Sequence, residues 1–75
     1  MEAFHYQDRE LYCEGVRVAD LAARYGTPLY IYSQSAILHT LKALQTAFAA
    51  VDPLICYSVK ANSNLGVLKV MAEHG

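Results

Sequence analysis

Ile55-Cys56-Tyr57-Ser58-Val59-Lys60-Ala61-Asn62-Ser63-Asn64 is an apolar run that closes on one lysine and passes into small polar residues. Residues 54–60 have the length and composition of a strand. A second apolar run follows and predicts a helix over 64–74, capped by Asn62 or Ser63, with Leu65, Leu68, Met71 and Ala72 on one face. His74 and Gly75 suit its end. A lysine between a buried strand and a helix start is a costly place for a charge, because lysine is almost never fully buried unless paired or chemically used. Strand side chains alternate between faces. Ile55, Tyr57 and Val59 therefore share one face, bulky enough to pack against helices. Cys56, Ser58 and Lys60 share the other, where the lysine has small neighbours.

Upstream, Ile37, Leu41, Leu44, Phe48 and Val51 recur in steps of four, three, four and three, which predicts a helix begun by Ser33 or Ser35 and ended at Asp52-Pro53. Two heptads are too few for a coiled coil, so this stripe is expected to pack against a sheet. Leu29-Tyr30-Ile31-Tyr32 reads as another strand. Before it, residues 19–25 predict a short alanine-rich helix, stopped by Gly26 and Pro28. Residues 3–18 alternate in short extended segments, with turns at Gln7-Asp8-Arg9-Glu10 and Glu14-Gly15, as in a hairpin. From residue 29 onward the order is β-α-β-α, which argues for an α/β fold with a parallel sheet and crossover helices.

The 75 residues are 55% hydrophobic and 17% charged, a globular rather than a disordered composition. A net charge of −1 with scattered Lys and Arg leaves no basic patch for nucleic acid. Cys13 and Cys56 lie far apart without zinc-type spacing, so no metal is expected. They read as reduced thiols, with a single disulfide as the lesser alternative. His5, His39 and His74 have no ligand spacing, and the six tyrosines read as packing residues with a polar tip. No run approaches the roughly 20 apolar residues of a membrane span, and the N-terminus has no signal-peptide pattern; a cytoplasmic protein with no membrane contact is expected. A chain this short buries little of its surface, and it stops at Glu73-His74-Gly75, where a helix is ending. The expectation is a piece cut at an element boundary.

In a parallel α/β sheet or barrel, ligands sit beyond the C-terminal ends of the strands. An amine there can form a Schiff base with an aldehyde, most commonly pyridoxal 5′-phosphate (PLP), and desolvation enlarges its nucleophilic fraction. The same spacing also suits a lysine that snorkels to water. Geometry alone leaves both readings open.

Tyr57-Ser58-Val59-Lys60-Ala61-Asn62-Ser63-Asn64 closely resembles the PLP-attachment motif of the decarboxylases with an alanine-racemase-type barrel. Within that group, Tyr25-Gly26-Thr27-Pro28-Leu29-Tyr30-Ile31-Tyr32-Ser33 resembles the segment ahead of the barrel in the diaminopimelate decarboxylases. The pattern from Phe4-His5-Tyr6 to Glu14-Gly15-Val16 is similar as well, so the resemblance covers residues 4–75. Ornithine-type relatives usually carry a cysteine where Ala61 stands and lack the Gly-Thr-Pro segment, which favours the diaminopimelate branch.

The resemblance implies a fold and a chemistry. Residues 1–28 would be strands and a short helix associated with a β-rich domain. Residues 29–75 would be the first βα elements of a PLP-binding (β/α)8 barrel, a fold of about 250 residues that is incomplete here. Lys60 would hold PLP covalently, and Ser58 would touch the cofactor ring or serve as a small packing residue. The reaction would be decarboxylation of meso-2,6-diaminopimelate to L-lysine and carbon dioxide in lysine biosynthesis. The family is homodimeric. Its phosphate loop, pyridine-nitrogen partner, substrate-binding residues and catalytic cysteine lie beyond residue 75, and neither Cys13 nor Cys56 matches that cysteine. The 75 residues alone are expected to be inactive. The alternatives are an ornithine- or arginine-type decarboxylase, a non-catalytic PLP-binding barrel protein, and a small α/β interaction domain with a solvated Lys60.

Overall fold

A computed structural model describes residues 2–75. The chain forms two compact units, one ending at Ala36 and one spanning Ile37–Gly75, and each is described by itself.

In the first unit, β1 (Phe4–Gln7), β2 (Glu10–Cys13) and β3 (Val16–Arg17) make an antiparallel sheet in the order β1-β2-β3. Two-residue turns join them, as the sequence predicts. Asp8 and Arg9 both have left-handed backbones, with φ of 51° and 66°, the geometry whose twist matches a hairpin. Glu14 opens the second turn with φ of 57°. Its N–H donates to the Ala3 carbonyl at 2.6 Å, carrying the β1-β2 ladder one step past the Phe4–Cys13 pair. His5 and Tyr12 face each other across the ladder, their rings stacked with centroids 5.8 Å apart.

Helix α1 (Val18–Tyr25) follows directly. Arg17 reaches back to Glu10 at 2.7 Å and forward to Asp20 at 2.6 Å, tying the helix start to the hairpin. Asp20 also suits the positive end of the helix dipole. Gly26 ends the helix with its N–H on the Ala22 carbonyl at 2.8 Å. Its φ of 81° and ψ of 177° are open essentially to glycine alone; the positive φ matches expectation, but the residue is extended rather than left-handed helical. A cis Thr27–Pro28 bond follows.

Residues 29–32 carry no strand pairing, contrary to expectation. Helix α2 (Gln34–Ala47) then begins with Ser33 as its cap, as expected: the Ser33 hydroxyl accepts the Ala36 N–H at 3.1 Å. The helix stops four residues short of the expected Val51, and Ala49–Val51 form a 3-10 turn closed by a left-handed Asp52 ahead of Pro53. Of the expected stripe, Leu41 is buried and Ile37 half-buried, while Leu44, Phe48 and Val51 are exposed.

Residues 54–60 also differ from expectation. They form no strand, and their last part, Val59–Ala61, is a 3-10 turn. An extended apolar run becomes a strand only when its N–H and C=O groups find a ladder. Among the described residues neither 29–32 nor 54–58 has one, and no parallel pair forms. Helix α3 (Leu65–His74) completes the chain. It is capped by Asn64, not by Asn62 or Ser63, and buries Val67 where Leu65 was expected; Leu65 is 81% exposed. No helix among the described residues is long and apolar enough to cross a membrane.

Candidate functional site

The sequence singles out Lys60 and Ser58, and the structure sets both in one turn. Ser58 is extended, with φ of −80° and ψ of 97°, and its carbonyl accepts the Ala61 N–H at 3.0 Å. That bond makes the 3-10 turn with Lys60 at its centre. Lys60 is exposed and, among the described residues, in no ion pair. The expectation of a lysine at the end of a buried strand is thus corrected: Val59–Ala61 turn instead of extending, and Lys60 is exposed.

The alternation holds over 55–58, where Ile55 and Tyr57 are half-buried and Cys56 and Ser58 exposed. It ends in the 3-10 turn, where Val59 and Lys60 are both exposed. Ile55, Tyr57 and Val59 line an apolar groove of about 260 Å³ together with Leu41 of α2 and Leu68 and Met71 of α3. Lys60 is not part of this groove.

Four hydrogen bonds hold the turn to the helix. Besides the Ala61–Ser58 bond, the Tyr57 hydroxyl donates to the Asn62 carbonyl at 2.7 Å. Asn62 Oδ1 accepts the Asn64 N–H at 2.9 Å, and Asn64 Oδ1 accepts the Val67 N–H at 3.2 Å, capping α3. The sequence offers Asn62 or Ser63 as the cap; instead Asn62 makes an Asx turn and Asn64, two residues on, is the cap. The role of the Tyr57 hydroxyl had no signal in sequence beyond the need of a half-buried tyrosine for a partner.

A second polar cluster lies in the first unit. Glu14 accepts from the Ser33 hydroxyl at 2.8 Å and from the Ser35 hydroxyl at 2.9 Å. Those hydroxyls hold the Glu14 carboxyl below the usual carboxylate range, the Ser33 bond first. Asp20 is likewise held down by the Arg17 guanidinium. Burial pushes the Cys13 thiol up, helped by the neighbouring Glu14 charge. Both cysteines are free thiols.

An aldehyde cofactor can be tested against these residues. A primary amine on a pinned turn whose two ends are the small residues Ser58 and Ala61 fits the aldehyde end of PLP. The described residues thus fit one end of the group, the end to which the chain would be joined.

No family model matches the chain. Named relatives do. The diaminopimelate decarboxylase of Pseudomonas aeruginosa is 48% identical over 75 residues, covering 100% of this chain and 18% of the relative. That of Neisseria meningitidis serogroup B is 54% identical over 65 residues, covering 87% of this chain and 16% of the relative. In structure, the chain is similar to the Aquifex aeolicus protein AQ1208 in its crystal form, with a TM-score of 0.88 and 45% identity over 95% of this chain and 17% of that one. By sequence the chain is similar to named diaminopimelate decarboxylases, of whose own length it spans 16–18% in these relatives.

Proposed function

We propose that these residues are the N-terminal part of a PLP-dependent decarboxylase that converts meso-2,6-diaminopimelate to L-lysine and carbon dioxide, with Lys60 as the covalent attachment point of PLP. The observation that carries the proposal is the position of Lys60. It is an exposed amine at the centre of a turn pinned to a capped helix, in a chain 48% identical end to end to a named diaminopimelate decarboxylase.

Bound PLP supplies an electron sink for the pair left behind when a carboxylate departs. This chain's residues do simpler work. Lys60 is exposed and outside the apolar groove, the Ser58–Ala61 turn fixes where its side chain starts, and the Asn64 cap anchors the turn to α3. Ser58, on the same side, is proposed to lie against the cofactor ring.

The reading extends to the (β/α)8 barrel, with residues 29–75 as its first elements and residues 1–28 allied to a β-rich domain. Exposed apolar side chains support it: Tyr30 at 84%, Leu54 at 89% and Leu65 at 81% stand in water among the described residues, as expected of surfaces that further chain would cover. In a barrel, runs 29–32 and 54–58 would gain the ladders they lack here. The reading also takes the protein as a cytoplasmic homodimer; two unpaired thiols are in keeping with a reducing compartment.

The test uses the full-length protein. The visible absorbance of lysine-bound PLP should be present in the wild type and lost in Lys60→Ala, and carbon dioxide should be released from meso-diaminopimelate. Absorbance without release would favour a non-catalytic PLP-binding barrel, and absorbance retained in Lys60→Ala would refute the assignment of Lys60.

A further inference from the structure

Tyr57 stands three residues before Lys60 and Asn62 two after it. The Tyr57 hydroxyl donates to the Asn62 carbonyl at 2.7 Å, closing a loop around the lysine. The Tyr57 ring lies in the apolar groove with Leu68 and Met71 of α3, so packing fixes the direction from which the hydroxyl approaches. On the far side, Asn62 Oδ1 accepts the Asn64 N–H at 2.9 Å, joining the loop to the cap of α3. A phenylalanine at position 57 would fill the groove as well, so only the hydroxyl explains the tyrosine.

We propose that Tyr57 and Asn62 are positioning residues for Lys60: the hydroxyl-to-carbonyl bond and the Asx turn hold the lysine turn in one shape, so that its amine meets an aldehyde in a single orientation. The proposal rests on Lys60 being the attachment point. In that attachment the neutral amine adds to the aldehyde carbon of PLP, a C=N bond forms, and the aldehyde oxygen leaves as one water with both amine protons. Nothing is oxidised or reduced. Orientation of the amine sets how often encounter leads to reaction, and losing one ordinary hydrogen bond of about 1 kcal/mol corresponds to about a fivefold slower rate.

The test mixes PLP with the cofactor-free full-length protein and follows the growth of the C=N absorbance, with thermal unfolding measured on each variant. Tyr57→Phe and Asn62→Ala should slow the growth about fivefold, while Asn62→Asp, which keeps the Oδ1 acceptor, should restore it. A wild-type rate in Tyr57→Phe, or equal slowing in Asn62→Ala and Asn62→Asp, overturns the proposal. If Tyr57→Phe fails to fold, the Asn62 pair decides. A Lys60→Ala protein that still develops the absorbance refutes the attachment reading instead. Loss in Lys60→Ala with wild-type rates in Tyr57→Phe and Asn62→Ala refutes positioning alone.

Discussion

Gly66 sits in the first turn of α3, where an alanine would ordinarily improve the helix by about 1 kcal/mol. Here the gain should vanish. A Cβ on Gly66 would lie 3.1 Å from Asn64 Oδ1, the atom that caps the helix through Val67 N–H at 3.2 Å. The cap bond is already at the long end of the usual range, and moving the oxygen outward by a few tenths of an ångström weakens it. An Asn cap lost to Ala costs about 1 kcal/mol. In the wild-type background, Gly66→Ala should therefore be close to neutral, the helix gain offsetting the cap loss. In an Asn64→Ala background no cap remains to lose, and the same change should stabilise by about 1 kcal/mol. The two positions should thus couple by about 1 kcal/mol, within the range seen for side chains in contact. A double-mutant cycle on the full-length protein by chemical denaturation measures this, and amide exchange at Val67 reads the cap locally. Additive effects, with Gly66→Ala stabilising equally in both backgrounds, would refute the crowding.

Other outcomes follow from the first unit. The Glu14 carboxyl has a lowered pKa in the fold, so its stabilising effect is whole above the unfolded glutamate value of about 4.3 and is lost as pH falls through the folded value. Glu14→Gln should therefore be less stable than wild type near neutral pH, with the gap closing in acid; urea midpoints at several pH values check it, and a pH-independent gap would contradict it. Arg9→Gly should stabilise the β1-β2 hairpin by about 0.5–1 kcal/mol, because a glycine adopts the φ of 66° without the Cβ penalty, less the entropy of a freer unfolded chain. A lowered melting temperature would count against the turn assignment.

Local order was largely legible in the sequence. The hairpin turns at Asp8-Arg9 and Glu14-Gly15, helix α1 with its Gly26 stop, and the Ser33 cap all arise from contacts a few residues long, and each appears where backbone chemistry requires it. Long-range order was not. The runs 29–32 and 54–60 have strand composition, but a strand is a pairing, and composition does not say where the partner is. The same holds for the apolar stripes: Leu65, Phe48 and Val51 carry helical periodicity yet stay exposed. At the site, alternation matches the burial of Ile55 and Tyr57 against exposed Cys56 and Ser58, but not Val59, which lines the groove and is exposed. It could not show that Lys60 sits in a 3-10 turn, nor that the Tyr57 hydroxyl crosses to Asn62, because both depend on the turn the backbone makes after Ser58, which side-chain alternation does not encode.

The most direct test of Lys60 is chemical trapping. The full-length protein is incubated with PLP, reduced with borohydride so that any C=N bond becomes a stable C–N bond, digested and mapped by mass spectrometry. A pyridoxyl adduct on Lys60, in the peptide that spans Tyr57–Asn64, is the predicted result. An adduct on Lys42, on Lys69 or on a lysine elsewhere in the protein, with Lys60 unmodified, would contradict the account.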